Sequence, residues 1–126
     1  SAMFDYTSLV TNYPEETNYY LLRANLYYDL GKFKEAIDDY NAFLLEDKTD
    51  VTAYLGRAEC KYEIKEYRSA IDDCNSALSI DSTYADASFD IAFTNIRLEK
   101  YGLAIATLNK AKVISDVLDD FFKYIR

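Results

Sequence analysis

Residues 17–50 read TNYYLLRANLYYDLGKFKEAIDDYNAFLLEDKTD, and residues 51–84 read VTAYLGRAECKYEIKEYRSAIDDCNSALSIDSTY. Set one beneath the other, the two stretches align over 34 positions without a gap. Tyr20 meets Tyr54, Arg23 meets Arg57, Ala24 meets Ala58, Tyr28 meets Tyr62, Ala36 meets Ala70, and Asp38-Asp39 meets Asp72-Asp73. Residues 85–118 keep the register more loosely, through Ala92, Tyr101, Ala104, Ile105 and Asn109. A fixed period of this length belongs to stacked supersecondary units, each covering a face that its neighbour would otherwise expose.

Within a unit the apolar residues follow helical spacing twice. Tyr20, Ala24 and Tyr27 mark a first helix, and Phe33, Ala36, Ile37, Tyr40, Phe43 and Leu44 a second. Gly31 stands between them, where a left-handed residue ends a helix. Lys65-Glu66 and Glu99-Lys100 hold the same place in the next two units. Polar runs, Glu46 to Asp50 and Asp81 to Thr83, close the first two units, and Thr83-Tyr84-Ala85-Asp86 has the spacing of a capping box opening the third. Small residues at Ala24, Ala36, Ala58, Ala70, Ala92 and Ala104 let neighbouring helices approach closely, with aromatics filling the gaps between.

The reading is therefore a single all-α domain over residues 1–126: a solenoid of antiparallel helix pairs with units at 17–50, 51–84 and 85–118. Residues 3–16 read as a partial unit in register with the second helix of a pair. At the other end Val117, Leu118, Phe121, Phe122 and Ile125 mark one face of a terminal helix over 117–126. These end helices are either caps or the cut repeats of a longer array.

Composition narrows the function. The formal charge is −8, which disfavours phosphate backbones and anionic membranes and favours a basic or neutral partner. No histidine is present, and the three glycines form no phosphate-cradling loop. No metal, cofactor or catalytic set is expected, so the chain does not read as an enzyme. Cys60 and Cys74 form no CxxC pair and read as small buried hydrophobes in a reducing compartment, with a disulfide as the lesser alternative. With no apolar run long enough for a membrane span, an intracellular setting is expected, cytoplasmic with the nucleus left open. The adjacent acids Asp38-Asp39, Asp72-Asp73 and Asp119-Asp120 read as solvated helix faces.

A helix–turn–helix of this period, with Tyr20, Ala24, Tyr27, Gly31, Phe33, Ala36 and Tyr40, resembles a tetratricopeptide repeat. The second unit is similar through Tyr54, Ala58, Tyr67, Ala70 and Ala77. The usual closing proline is replaced by Lys48, Ser82 and Asp116, and Ser88 and Asn95 stand at aromatic slots of the third unit. The resemblance implies a right-handed superhelix whose first helices line a concave groove, and a non-enzymatic role as a protein–protein interaction scaffold. The groove stripe then comprises Leu21, Leu22, Asn25, Tyr28 and Asp29; Leu55, Glu59, Tyr62 and Glu63; and Asp86, Phe89, Asp90, Phe93, Ile96 and Arg97. That surface is an apolar floor with an acidic rim, suited to a peptide or helix carrying basic and apolar residues. Packing between neighbouring helices is the competing explanation for its apolar members.

Co-chaperone members of that family grip a C-terminal carboxylate with Lys, Asn, Asn, Lys and Arg. The corresponding positions here are Leu21, Asn25, Gly56, Asp86 and Asp90, so only Asn25 matches and the last two are reversed in sign. A chaperone-tail function is accordingly disfavoured. Self-association into a homo-oligomer is the main alternative to a partner-binding groove, and RNA binding is opposed by the acidic charge.

Overall fold

The computed structural model describes residues 2–124; in the last helix the side chains at 113–115, 117–122 and 124 lie outside that description. The apolar face expected from Val117, Leu118, Phe121, Phe122 and Ile125 therefore falls outside the described residues. The elements are α1 (Ala2–Asn12), α2 (Thr17–Asp29), α3 (Phe33–Glu46), α4 (Val51–Glu63), α5 (Tyr67–Ile80), α6 (Ala85–Arg97) and α7 (Tyr101–Tyr124), with no strand among the described residues. Among the described residues no helix is long and apolar enough to cross a membrane.

Each hairpin turns by the same device. At the first, Gly31 takes a positive φ of 74°, its N–H donates to Tyr28 O, and the next N–H, of Lys32, reaches back to Tyr27 O. This is the paired Schellman pattern that satisfies the last carbonyls of a helix. Lys65 (φ 67°) and Glu99 (φ 60°) repeat it with a side chain in the left-handed region.

The units close differently. Asp47 Oδ1 accepts from both the N–H and the hydroxyl of Thr49, and Asp81 Oδ1 does the same with Thr83. These local bonds compete with helix continuation and end α3 and α5. The expected capping box at Thr83 does not form: Thr83 is spent on Asp81, and α6 begins at Ala85 with Tyr84 as its N-cap and no side-chain cap bond. In the third unit the Asp-x-Thr motif has become Ser115-Asp116-Val117. Accordingly α7 runs unbroken to Tyr124, and the separate terminal helix expected from residue 117 is its continuation.

The alanines nest as the register requires, with Ala24, Ala36 and Ala92 at 0 % exposure and Ala58, Ala70 and Ala104 at 2 % or less. Two core clusters form, one around Ala24, Tyr40, Phe43 and Cys60, the other around Ala58, Ala70, Cys74 and Ile91. Both cysteines are buried and free. Asp39 and Asp73 are also buried, at 4 % exposure each, contrary to the expectation of solvated acid pairs. Each is held by an arginine of the preceding helix: Arg23 binds Asp39 at 2.7 Å, and Arg57 binds Asp73 at 2.6 Å with Lys61 adding a contact at 2.8 Å. Asp38 and Asp72 remain at the surface. In the third unit Ile91 and Thr107 replace the ion pair, and an outer crevice of about 510 Å³ opens between α5, α6 and α7.

The order of contacts sets the curvature. The backbones of α2 and α4 approach within 8 Å, as do those of α4 and α6, while α3 and α5 do not, nor do α5 and α7. First helices thus form a continuous inner row and second helices splay apart, which makes the first-helix side concave.

Candidate functional site

The concave side carries two adjoining hollows. The central one, of about 240 Å³, lies among α2, α4, α5 and α6 and is lined by Tyr28, Glu59, Tyr62, Glu63, Asp90 and Phe93, with Ala58, Ala70, Cys74 and Thr94 behind them. The second, of about 250 Å³, is lined by Asn25, Tyr28, Asp29, Leu55 and Glu59 with Tyr40, Thr52, Gly56 and Tyr84. Tyr28 and Glu59 belong to both, so the hollows form one furrow.

Sequence spacing brings these residues together because first helices put one stripe inward. The aromatic rings are then fixed across the hairpin turns. Tyr28 meets Phe33 edge to face at 6.0 Å between centroids, and Tyr62 meets Tyr67 at 5.4 Å. Arg97, an exposed residue, donates from Nε to Tyr62 Oη at 2.8 Å and so braces that ring from the third unit. Such aromatic pairs add about 0.5–1.5 kcal/mol beyond area burial and give the walls a defined orientation.

Other members of the expected stripe sit elsewhere. Leu21 packs against the first core cluster, and Leu55 reaches the second hollow while burying most of its surface in the second cluster. Leu22 and Ile96 are exposed, at 43 % and 40 %. Asp86 is exposed and Phe89 half-buried, and neither lines the two hollows.

Spacing on the first helices could not disclose Tyr40 and Cys74, which reach the furrow from the second helices behind. Their register carries the signal. Cys74 stands 34 residues after Tyr40, and Asp90 stands 34 residues after Gly56. Between the first two units, Tyr40 fills the space beneath α4: its hydroxyl donates to Asn25 Oδ1 at 2.6 Å, and a Cβ on Gly56 would lie 2.5 Å from the tyrosine oxygen. Between the second and third units the tyrosine has shrunk to a thiol and the glycine has become an aspartate. The central hollow occupies the place so vacated.

The electrostatics follow from that exchange. Asp90 Oδ2 is buried and has no hydrogen-bond partner. Burial first, then the charge of Glu59 and a hydrogen bond that the protonated carboxyl shares with it, and lastly the charge of Asp86, push the Asp90 carboxyl up to about 7. Burial and Glu59 also raise the Tyr28 phenol to about 12, and burial, Asp90, Asp73 and Glu59 raise the Cys74 thiol to about 12. Cys74 is therefore an inert thiol at neutral pH. Among the described residues no group of three or more His, Cys, Asp or Glu is placed to hold a metal ion. The furrow offers negative charge, aromatic faces and a buried acceptor without a donor.

Comparison with known proteins agrees with the repeat. The tetratricopeptide repeat family model matches residues 17–50. No curated protein matches the chain in sequence. Among solved structures it is similar to MamA, at 25 % identity and a TM-score of 0.86 over 90 % of this chain and 66 % of that one. MamA from Desulfovibrio magneticus RS-1 superposes with a TM-score of 0.90 at 14 % identity, over 94 % of this chain and 67 % of that one. The TPR2B domain of yeast Sti1, in its complex with pHsp70, gives a TM-score of 0.77 at 22 % identity, over 82 % of this chain and 83 % of that domain. The chain thus spans a little under two thirds of the first of these MamA structures.

Proposed function

We propose, from the premise that this chain is a tetratricopeptide-repeat protein, that its concave furrow binds a segment of another polypeptide carrying basic and apolar residues. The observation that carries the reading is the furrow itself: Tyr28, Tyr62 and Phe93 face it beside Glu59, Glu63 and Asp90 with no cation among its lining residues. An extended or helical segment gains area against the rings, and lysine or arginine complements the acids. The role is that of a scaffold performing no chemistry. Two free, buried thiols support an intracellular setting for it.

The structural likeness to a domain solved with pHsp70 supports a polypeptide ligand but not the same end-group chemistry. Asp86 and Asp90 stand where a carboxylate clamp needs cations, and they repel a C-terminal carboxylate.

The test is selection of peptides from a random displayed library on the 126-residue chain, followed by calorimetry. The reading expects enriched peptides rich in Lys or Arg with apolar neighbours, binding one site and weakened at least tenfold by Tyr28→Ala or Phe93→Ala. No enrichment, or enriched peptides indifferent to both substitutions, would overturn it. Dimerisation in light scattering that the same substitutions abolish would point instead to a second copy as the occupant.

A further inference from the structure

Among the described residues, acids with buried oxygens fall into two kinds. Asp39 and Asp73 each have an arginine. Asp90 is half-buried, its Oδ2 is buried without a donor, and its neighbour in the hollow is another carboxylate, Glu59. A buried carboxylate left without a counter-charge is costly, so it takes up either a proton or a cation.

Resting on the furrow as the polypeptide-binding face, we infer that the central hollow is a socket for one lysine or arginine side chain of the bound segment, received by Asp90 and Glu59. The exchange of Tyr40 for Cys74 and of Gly56 for Asp90, one unit on, makes the room and supplies the anion. Tyr28, Tyr62 and Phe93 flank the methylene stem and offer ring faces to the cation. Charge complementarity commits the occupant: the titratable groups that line the hollow with Asp90 are acidic or neutral, and Arg97 of α6, a cation beside them, is engaged by the Tyr62 hydroxyl. Tyr28 comes from α2, Glu59, Tyr62 and Glu63 from α4, Cys74 from α5, and Asp86 from α6.

The socket exchanges a proton for a cation. With its carboxyl pushed up to about 7, Asp90 is largely protonated at pH 6 and largely ionised at pH 8. A basic side chain binds the ionised form, so affinity rises with pH through that window, by about five- to tenfold.

The probe is Nα-acetyl-lysine N-methylamide, with the norleucine analogue as a neutral control of similar shape, titrated into the ¹⁵N-labelled chain. The lysine compound is expected to shift the amides of Glu59, Asp90 and Phe93, the control to need at least tenfold more, and the lysine response to strengthen from pH 6 to pH 8. Asp90→Asn keeps the hollow and is expected to remove both the lysine preference and the pH dependence. Cys74→Tyr with Asp90→Gly, which copies the packing of the first interface, is expected to fold and to lose the response altogether. Equal shifts by the two compounds, or an unchanged lysine preference in Asp90→Asn, would overturn the socket. Library-selected peptides that bind Asp90→Asn as tightly as the parent would also overturn it while leaving the furrow standing. A lysine probe that shifts these amides in a protein that selects no peptide would leave the socket standing and overturn the furrow.

Discussion

Arg57 grips Asp73 through two parallel hydrogen bonds, Nε to Oδ2 at 2.9 Å and Nη2 to Oδ1 at 2.6 Å, and Arg23 and Asp39 make the same fork one unit earlier. Each fork ties the two helices of a hairpin together behind the alanine contacts. The third unit, with Ile91 and Thr107 at those places, does without it.

Removing one partner strands a buried charge. Arg57→Ala is expected to cost about 3 kcal/mol in urea unfolding, and Lys61 keeps the loss from being larger. The double substitution Arg57→Ile with Asp73→Thr, which copies the third unit, is expected to cost less than Arg57→Ala alone. Strictly additive losses across the double-mutant cycle would show that the fork is not a coupled unit.

Three turns share one backbone shape, and only one has the residue suited to it. Nothing lies within 4 Å of a Cβ built on Gly31, so Gly31→Ala tests backbone strain alone and is expected to cost about 1 kcal/mol. Lys65→Gly and Glu99→Gly are expected to gain about 0.5–1 kcal/mol each by relieving it. Thermal melts of the three variants check the signs, and a loss of stability in both glycine variants would contradict the turn assignment.

Tyr40 and Gly56 are a matched pair. Gly56→Ala drives a methyl into the tyrosine hydroxyl and is expected to destabilise by about 1–3 kcal/mol. Tyr40→Phe removes the hydroxyl and its bond to Asn25, at about 1 kcal/mol. In the double variant the ring carbon Cζ still lies 2.7 Å from the added methyl, so only the hydroxyl part of the clash is relieved and the two losses are expected to be nearly additive. Gly56→Ala without measurable loss would contradict the packing between the first two units.

Asp90 makes stability depend on pH in an unusual direction. The folded chain holds its proton up to about 7, above the ordinary value of 3.8. Folding therefore binds a proton between those limits, and the contribution of Asp90 to stability falls as pH rises from about 4 to about 7. Asp90 is partly open to solvent, so screening reduces the effect to about 1–2 kcal/mol. Asp90→Asn is expected to match the parent near pH 4 and to exceed it by that amount at pH 8. Equal stability at both pH values would remove the claim that this carboxylate is buried without a partner.

Much of this was legible because the chain repeats. Gly31 marks one turn by its chemistry, and the period carries the turn to Lys65 and Glu99, which show no local sign of it. Helical spacing likewise brought Tyr28, Glu59, Tyr62, Glu63, Asp90 and Phe93 to one furrow. Adjacency misled at Asp39 and Asp73: a pair of neighbouring acids looks solvated until the arginine 16 residues before each second member is considered. The continuity of α7 was hidden for a related reason. A helix stop here is a side-chain motif, Asp47 or Asp81 with the threonine two residues on, and its loss at Ser115 and Val117 marks a helix that continues. Cys74 and Tyr40 were missed because side chains of the second helices pass beneath the first.

The most direct measurement is the map of amide shifts when a library-selected basic peptide is titrated into the labelled chain. Shifts gathered on α2, α4 and α6 around Tyr28, Glu59, Tyr62 and Phe93 are the predicted result. Shifts gathered on the outer flank around Ile71, Leu78 and Leu103, with the furrow unmoved, would contradict it.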